Sequence, residues 1–183
     1  MSNRTNSQSD FYEKVICPLQ DQMIRTISRI VRDIDRAEDV LQDAMTKVWS
    51  NRERMDAHPN PSAYVLSICI STGLDALRRM ERTKASERML SSETNSLPGP
   101  MEPGSQVIAR EVADEVMSAI SDLSPQQAKA VLLRLIHEQT YAEIALIMDC
   151  SEATVRTHVA RGRDALTRSL SHLAPHRQVE EPL

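Results

Sequence analysis

Apolar residues recur at three- and four-residue spacing along nearly the whole chain of 183 residues, and only four glycines occur. This spacing places side chains on one face of a helix, and the alternation that is typical of strands is rare. One stretch breaks the pattern. Residues 91–105, SSETNSLPGPMEPGS, contain three of the nine prolines and two of the four glycines. We therefore predict an all-α protein with two small helical domains joined by a flexible linker.

The predicted domains follow from the position of this linker. A disordered N-terminus is expected over residues 1–10, a first domain over 11–90, the linker over 91–106, a second domain over 107–174 and a tail over 175–183. The first ten residues, MSNRTNSQSD, are polar, and no apolar run approaches the roughly 18 residues that cross a bilayer. We expect a cytoplasmic protein without membrane insertion.

The sequence gives no support for an enzyme or for a bound cofactor. It contains no phosphate loop, nucleophile elbow, paired-carboxylate site or metal-ligand set, so neither catalysis nor a cofactor is expected. Cys17, Cys69 and Cys150 are far apart and lack the spacing of a zinc site. They are predicted to be buried, reduced thiols that pack as small apolar side chains.

Charge is distributed unevenly along a chain whose formal net charge is −4. Acidic residues exceed basic ones over residues 33–56 and 108–150, whereas basic residues exceed acidic ones over 75–88 and 151–177. Each half therefore contains an acidic part followed by a basic part. Chance can produce this pattern at such small counts, and so can two domains that each face both a protein and a polyanion.

The second domain is predicted to contain a helix-turn-helix. Ser124, Thr140 and Ser151 each stand where a side chain can cap a new helix, and Pro125 suits the first helical position. The helix after Thr140 must end near Asp149, which leaves only two residues before the helix that follows Ser151. So short a turn makes the second helix cross the first.

The helix after Ser151 has two different faces. Turned by 100° per residue, its inward stripe consists of Val155, Val159, Gly162 and Leu166. Its outward face consists of Ala153, Thr157, Ala160 and Asp164, flanked by Arg156 and Arg161. Small side chains between arginines suit close approach to a DNA groove, and they also suit a solvated helix rich in good helix formers. His158 lies between the two faces, and its position is compatible both with packing inside the protein and with a contact to DNA.

The first domain is predicted to contain an amphipathic helix over residues 37–49 and a loop over 51–63 that is broken by Pro59 and Pro61. A second helix then begins apolar and ends basic, through Arg78, Arg79, Arg82 and Lys84. A basic end suits a polyanion. It also suits any helix C-terminus, where a positive charge contributes a few tenths of a kcal/mol to about 1 kcal/mol.

Three segments carry a resemblance to a known family. The segments are AEDVLQDAMTKVW, NPSAYVLSICISTGLDALRR and, after the linker, LSPQQAKAVLLRLIHEQTYAEIALIMDCSEATVRTHVARGRDAL. They resemble regions 2 and 4 of a bacterial sigma factor of the sigma-70 family, in its extracytoplasmic function (ECF) group. The resemblance covers most of residues 20–170, in the order and spacing of both regions.

The resemblance implies a sigma factor that binds core RNA polymerase and directs promoter-specific initiation, by recognising the minus-thirty-five element and melting the minus-ten element. Core binding would use Asp39, Gln42, Asp43 and Lys47. Contacts to the minus-ten element would use Asn60, Tyr64, Ser71, Asp75, Arg78, Arg79 and Arg82. Contacts to the minus-thirty-five element would use Ser151, Ala153, Thr154, Arg156, Thr157, His158 and Arg161. The resemblance also implies an anti-sigma factor as a partner.

The chain departs from the family pattern at three positions, and two other functions remain open. Tyr64 replaces a usual tryptophan, Ser71 a usual asparagine and Asp149 a frequent glycine. One alternative is a helix-turn-helix transcriptional regulator that is not a polymerase subunit. The other is a helical interaction protein that mimics a sigma factor, which would not need an arginine-flanked recognition helix.

Overall fold

The computed structural model describes residues 10–90 and 104–173, and within these ranges it contains helices and no strand. A π-helical turn (Tyr12–Ile16) and a 3₁₀ turn (Cys17–Leu19) come first, and a 3₁₀ turn (Ser171–Leu173) comes last. Between them lie α1 (Gln20–Val31), α2 (Ile34–Ser50), α3 (Arg52–Asp56), α4 (Pro61–Leu90), α5 (Gly104–Ser121), α6 (Pro125–Leu135), α7 (Tyr141–Met148) and α8 (Glu152–Ser169). The all-α prediction is confirmed.

Parts of the predicted domain plan lie outside the described residues, namely 1–9, 91–103 and 174–183. These contain nearly all of the predicted N-terminal segment, most of the linker and the whole tail. Helix α5 begins at Gly104, inside the stretch 91–106 that was predicted as linker. The start was missed because its first residues, Gly104, Ser105 and Gln106, carry no apolar period.

Side-chain caps define where most of the helices begin. Asp33 accepts the Arg36 amide at 3.2 Å before α2, and Ser124 accepts the Gln127 amide at 3.4 Å before α6. Thr140 and Glu143 form a reciprocal capping box at α7. Ser151 accepts the Thr154 amide at 3.1 Å and starts α8. The starts predicted after Ser124, Thr140 and Ser151 are therefore confirmed.

The first domain packs α1, α2 and α4 around one apolar core. Fully buried members of this core include Met23, Ile27, Val48, Val65 and Cys69. The predicted loop over 51–63 is wrong in part, because its residues 52–56 form the short helix α3. Met55 is fully buried and anchors α3 on α4, a tertiary contact that local sequence does not reveal.

The second domain packs α6 and α7 against α8, with α5 alongside. Val155, Val159 and Gly162 of α8 are buried, as the helical geometry predicted. Asp149 ends α7 in the left-handed conformation (φ 55°), which permits the tight turn into α8. The helix-turn-helix prediction is confirmed.

The three cysteines have different environments. Cys69 is buried and Cys150 is half-buried, but Cys17 is exposed at the start of the 3₁₀ turn before α1. The prediction of burial is therefore wrong for Cys17, because this turn directs its side chain outward. No helix in residues 10–90 or 104–173 is long and apolar enough to span a membrane.

Candidate nucleic-acid interface

The outward side of α8 forms the first candidate surface, called here the α8 face. Its predicted members are Ser151, Ala153, Thr154, Arg156, Thr157, His158 and Arg161, and all are exposed except the half-buried His158. The buried stripe on the opposite side holds the helix on α6 and α7, so the exposed residues share a rigid support. A small, exposed surface between two arginines can approach a DNA groove closely.

Arg156 is oriented by two neighbours on the α8 face. Its Nη2 lies 3.4 Å from a carboxylate oxygen of Glu152, and its guanidinium lies 4.3 Å from the centre of the Tyr141 ring. Arg134 approaches the same ring at 5.1 Å. The Arg156 side chain remains 59% exposed, so it can still reach a phosphate or a guanine edge.

Tyr141 and Arg134 were not predicted as part of this site. Tyr141 is the first residue of α7 and is half-buried. The sequence signal for this role was weak, because a tyrosine beside a helix-turn-helix commonly packs against neighbouring apolar side chains. Only the crossing of α6, α7 and α8 brings the ring between two arginines.

The second candidate surface, called the α4 face, runs along α4. Turned by 100° per residue, Tyr64, Ser71, Asp75, Arg78 and Arg82 fall within about 60° of the helix circumference. Asp75, Arg79 and Arg82 are exposed, whereas Tyr64, Ser71 and Arg78 are half-buried. The structure therefore brings most of the predicted minus-ten residues onto one side of one helix.

The beginning of the α4 face is held by local bonds. Asn60 accepts the Ala63 amide at 3.0 Å and so starts α4, while the Tyr64 ring packs edge-on against His58 at 5.2 Å. Ser71 donates to the Ser67 carbonyl at 2.9 Å. The Ser71 hydroxyl is thus used within the helix, and Tyr64 is the larger surface available for stacking on a base.

Arg78 differs from its neighbours on the α4 face. Its Nε donates to the Ser121 carbonyl at 3.0 Å and its Nη2 to the Leu123 carbonyl at 2.9 Å. Both acceptors belong to the second domain. The Arg78 side chain is only 19% exposed, in contrast to Arg156.

The third candidate surface, called the α2 face, consists of Asp39, Gln42, Asp43 and Lys47 on α2. All four are exposed, because Ala37, Val40, Ala44 and Val48 turn the opposite side of the helix into the core. Lys47 Nζ also donates to Thr72 Oγ1 of α4 at 3.1 Å. The α2 face is therefore acidic and firmly attached to the helix that carries the α4 face.

One titratable group connects the start of α7 with the start of α4. Glu143 has its pKa held below the ordinary value of 4.5, first by the hydrogen bond from the Thr140 amide and then by the Thr140 hydroxyl and Asn60. Asn60 Nδ2 lies 3.4 Å from the Glu143 carboxylate. The capping carboxylate of α7 is thereby kept ionised beside the start of α4.

Two family descriptions match the chain, each over one of its domains. "Sigma-70 region 2" matches residues 18–83, and "Sigma-70, region 4" matches residues 113–166. Together they span most of the described residues. Region 2 contains the α2 and α4 faces, and region 4 contains the α8 face.

Individual sigma factors are similar to the chain over most of their length. The chain is 22% identical over 170 residues to the ECF RNA polymerase sigma factor SigW of Bacillus subtilis, covering 90% of this chain and 91% of SigW. It is 25% identical over 171 residues to the ECF RNA polymerase sigma-E factor of Escherichia coli, covering 88% of this chain and 87% of that protein.

A solved structure shares the fold. It is the sigma factor RpoE of Bartonella quintana in complex with the anti-sigma factor NepR, with a TM-score of 0.54 and 20% sequence identity. The similarity covers 88% of this chain and 97% of RpoE. With both regions matched in order, and with similarity over most of the length of SigW and of the Escherichia coli factor, the chain belongs to the sigma-70 family of RNA polymerase sigma factors, in the ECF group, and directs promoter-specific transcription.

Proposed function

We propose that the three surfaces divide promoter recognition among them. The α2 face docks on core RNA polymerase, the α4 face with the loop before it engages the minus-ten element, and the α8 face reads the minus-thirty-five element. The observation that carries the proposal is the α8 face, where six of seven predicted residues are exposed and a buried stripe supports them. The predicted domain boundaries belong to the same proposal.

The charges of the surfaces support this division. The α8 face carries Arg156 and Arg161, which suit phosphates and base edges, whereas the α2 face carries Asp39 and Asp43, which phosphate would repel. A net charge of −4 suits weak DNA binding by the chain alone. Productive binding then depends on several modest contacts made at once within the polymerase complex.

The test is transcription from purified components. Core polymerase with this chain should initiate at specific promoters that neither component uses alone, and mapping of transcript 5′ ends after overproduction should identify them. Absence of any binding to core polymerase would contradict the proposal and favour a plain DNA-binding regulator.

Residue roles in the α8 face can be separated from core binding. Arg156→Ala and Arg161→Ala should each weaken use of the minus-thirty-five element by about 1–3 kcal/mol while core binding is unchanged. Arg168→Ala is the matched control, because Arg168 is exposed in the last turn of α8, beyond the expected groove contact. Loss of core binding in the Arg156 variant would show that α8 has a different role.

The α2 face is tested by charge reversal. Asp43→Lys should weaken core binding, measured by fluorescence anisotropy of the labelled chain. It should leave the binding of the α8 face to a duplex with the minus-thirty-five element unchanged. Asp122→Lys makes the same charge change at an exposed turn of the second domain and should leave core binding intact. Equal losses in both variants would mean that net charge, rather than the α2 face, governs docking.

The remaining expectations belong to the same proposal. The chain acts in the cytoplasm, has no catalytic activity of its own and needs no cofactor. The Bartonella relative was solved with an anti-sigma factor, and we propose that a protein of that class also holds this chain.

A further inference from the structure

An arginine-lined cleft lies at the corner where α1 meets α2. We propose that this cleft binds a nucleotide that carries two or more phosphates. Its volume of about 610 Å³ is typical of a site for a small molecule. The residues that line the cleft lie outside the α2, α4 and α8 faces, so the inference goes beyond the proposed function.

Three arginines of the cleft follow the helical period of α1. Arg25, Arg29 and Arg32 are separated by four and three residues, which places them on one face of the helix. Arg110 of α5 lines the cleft as well, and its carbonyl accepts from Arg32 Nη2 at 3.2 Å. Arg32 also pairs with Asp114. Four guanidinium groups therefore line one concave surface of a chain whose net charge is −4.

Most of this positive charge is not neutralised by the protein itself. Among the described residues, the side chains of Arg25, Arg29 and Arg110 have no hydrogen-bond or ion-pair partner, and all three residues are exposed. The charge of Arg29 is felt nearby, because the pKa of His137 is lowered first by burial and then by this arginine. Three cations are thus available to an anionic ligand.

The carboxylate that Asp33 contributes to the cleft is already engaged. One of its oxygens accepts the Arg36 amide at 3.2 Å, and the other lies 3.3 Å from Arg36 Nε. The same corner contains the start of α2, whose N-terminal end carries a partial positive charge. The charge of Asp33 is therefore offset by its own neighbours, and the three arginines keep their attraction for an anion.

Stabilisation of a helix end explains only part of this arrangement. Arg29 lies in the last turn of α1 and Arg32 follows that turn, where positive charge favours the helix. Arg25 lies outside the last turn, and Arg110 belongs to another helix. Like charges four residues apart also repel each other, so Arg25 and Arg29 destabilise α1 unless an anion lies beside them. A polyanionic ligand accounts for all four positions.

An apolar surface beside the arginines indicates the class of ligand. Ile24 and Ile34 line the same cleft, and Ile34 is 76% exposed. Apolar side chains and flat guanidinium planes can contact the face of an aromatic base, while the ends of guanidinium groups bind phosphate oxygens in pairs. A nucleotide uses both parts of the cleft, whereas inorganic phosphate uses only the arginines. Three unpaired cations match the charge of a diphosphate or a triphosphate.

The test measures the binding of mant-ATP, a fluorescent ATP labelled on the ribose, to the full chain by fluorescence anisotropy without divalent cations. Arg25→Gln and Arg29→Gln should each weaken binding about tenfold, because each removes a hydrogen bond between charged groups. Both arginines are exposed, so the variants should keep the fold, which circular dichroism checks.

Arg168→Gln is the matched control for these two variants. It removes the same charge from an exposed position on α8 and should leave mant-ATP binding unchanged. If it weakens binding as much as Arg25→Gln does, net charge rather than the cleft attracts the probe, and the proposal is overturned. A wild-type chain without saturable mant-ATP binding would overturn it as well.

Competition experiments separate a nucleotide from other polyanions. Unlabelled ATP should displace the probe at lower concentrations than AMP or inorganic triphosphate, and Ile34→Gln should reduce the advantage of ATP over triphosphate. If triphosphate competes as well as ATP, the cleft binds phosphate alone and the nucleotide assignment is wrong. If a single-stranded oligonucleotide competes better than ATP, the cleft is a nucleic-acid surface, and the proposal also fails. Transcription with core polymerase reports separately on the proposed function.

Discussion

Helices α4 and α8 both carry predicted DNA contacts, but the fold covers them differently. Helix α8 has one buried stripe, and its arginines remain exposed on the opposite side. Helix α4 is buried on two sides, by its own domain and by the second domain, and Arg78 lies at the edge of the second contact. The difference shows that a basic residue at a suitable helical position is available to DNA only if no other part of the chain uses it.

The largest expected effect is on the reactivity of the Cys69 thiol, which lies on the buried side of α4. Burial raises the pKa of the Cys69 thiol to about 12, from an ordinary value of 9.0. The reactive thiolate is therefore about a thousandfold scarcer at neutral pH than for an ordinary thiol. Iodoacetamide should modify the exposed Cys17 and the half-buried Cys150 long before Cys69, as read by peptide mass spectrometry of the folded chain.

Raising the pH tests the protection of Cys69. Because burial raises the pKa of its thiol, Cys69 should stay unlabelled at alkaline pH until the chain unfolds. Denatured chain provides the control, in which all three cysteines should react at similar rates. Equal rates in the folded chain would mean that the inner side of α4 is open to solvent.

The second prediction compares the two glycines at helix crossings. A Cβ at Gly162 would lie 2.6 Å from Cγ2 of the buried, stiff Val131, so Gly162→Ala should lower the free energy of unfolding by about 1–3 kcal/mol. A Cβ at Gly73 would lie 3.3 Å from Cγ2 of Ile30, a contact that a small shift relieves. Alanine also favours the helix over glycine by about 1 kcal/mol, so Gly73→Ala should be nearly neutral.

Urea denaturation of both variants measures this difference. The Gly162 variant should also lose minus-thirty-five binding, because the crossing of α6 and α8 supports the α8 face. If Gly73→Ala destabilised the chain more than Gly162→Ala, the packing assigned to the two crossings would be wrong.

The smallest expected effect concerns the ring beneath Arg156. Tyr141→Leu keeps an apolar side chain but removes the cation–π contact, which contributes about 0.5–1 kcal/mol at an exposed site. The binding of the holoenzyme to a duplex that carries the minus-thirty-five element should therefore weaken by a few fold. Tyr141→Phe retains the ring and serves as the matched control. Equal loss in both variants would assign the effect to the tyrosine hydroxyl and not to the ring.

Much of the fold could be predicted because its signals are local. Ser124, Thr140 and Ser151 cap helices with their own neighbours three residues on, and the stripe of Val155, Val159 and Gly162 repeats at helical spacing. Helix α3 could not be predicted, since its stability depends on the burial of Met55 against α4. Tyr141 was missed as a support for Arg156 for the same reason.

The sequence by itself determined the all-α class, the helix-turn-helix and the family, because caps, apolar periods and the order of two regions are properties of neighbouring residues. It also determined which side of α8 is exposed, since that helix has a single apolar stripe. Only the tertiary structure decided that Asn60 and Arg78 are engaged by the second domain. Their partners lie 83 and 43 residues away, and contacts over such separations depend on how whole helices pack.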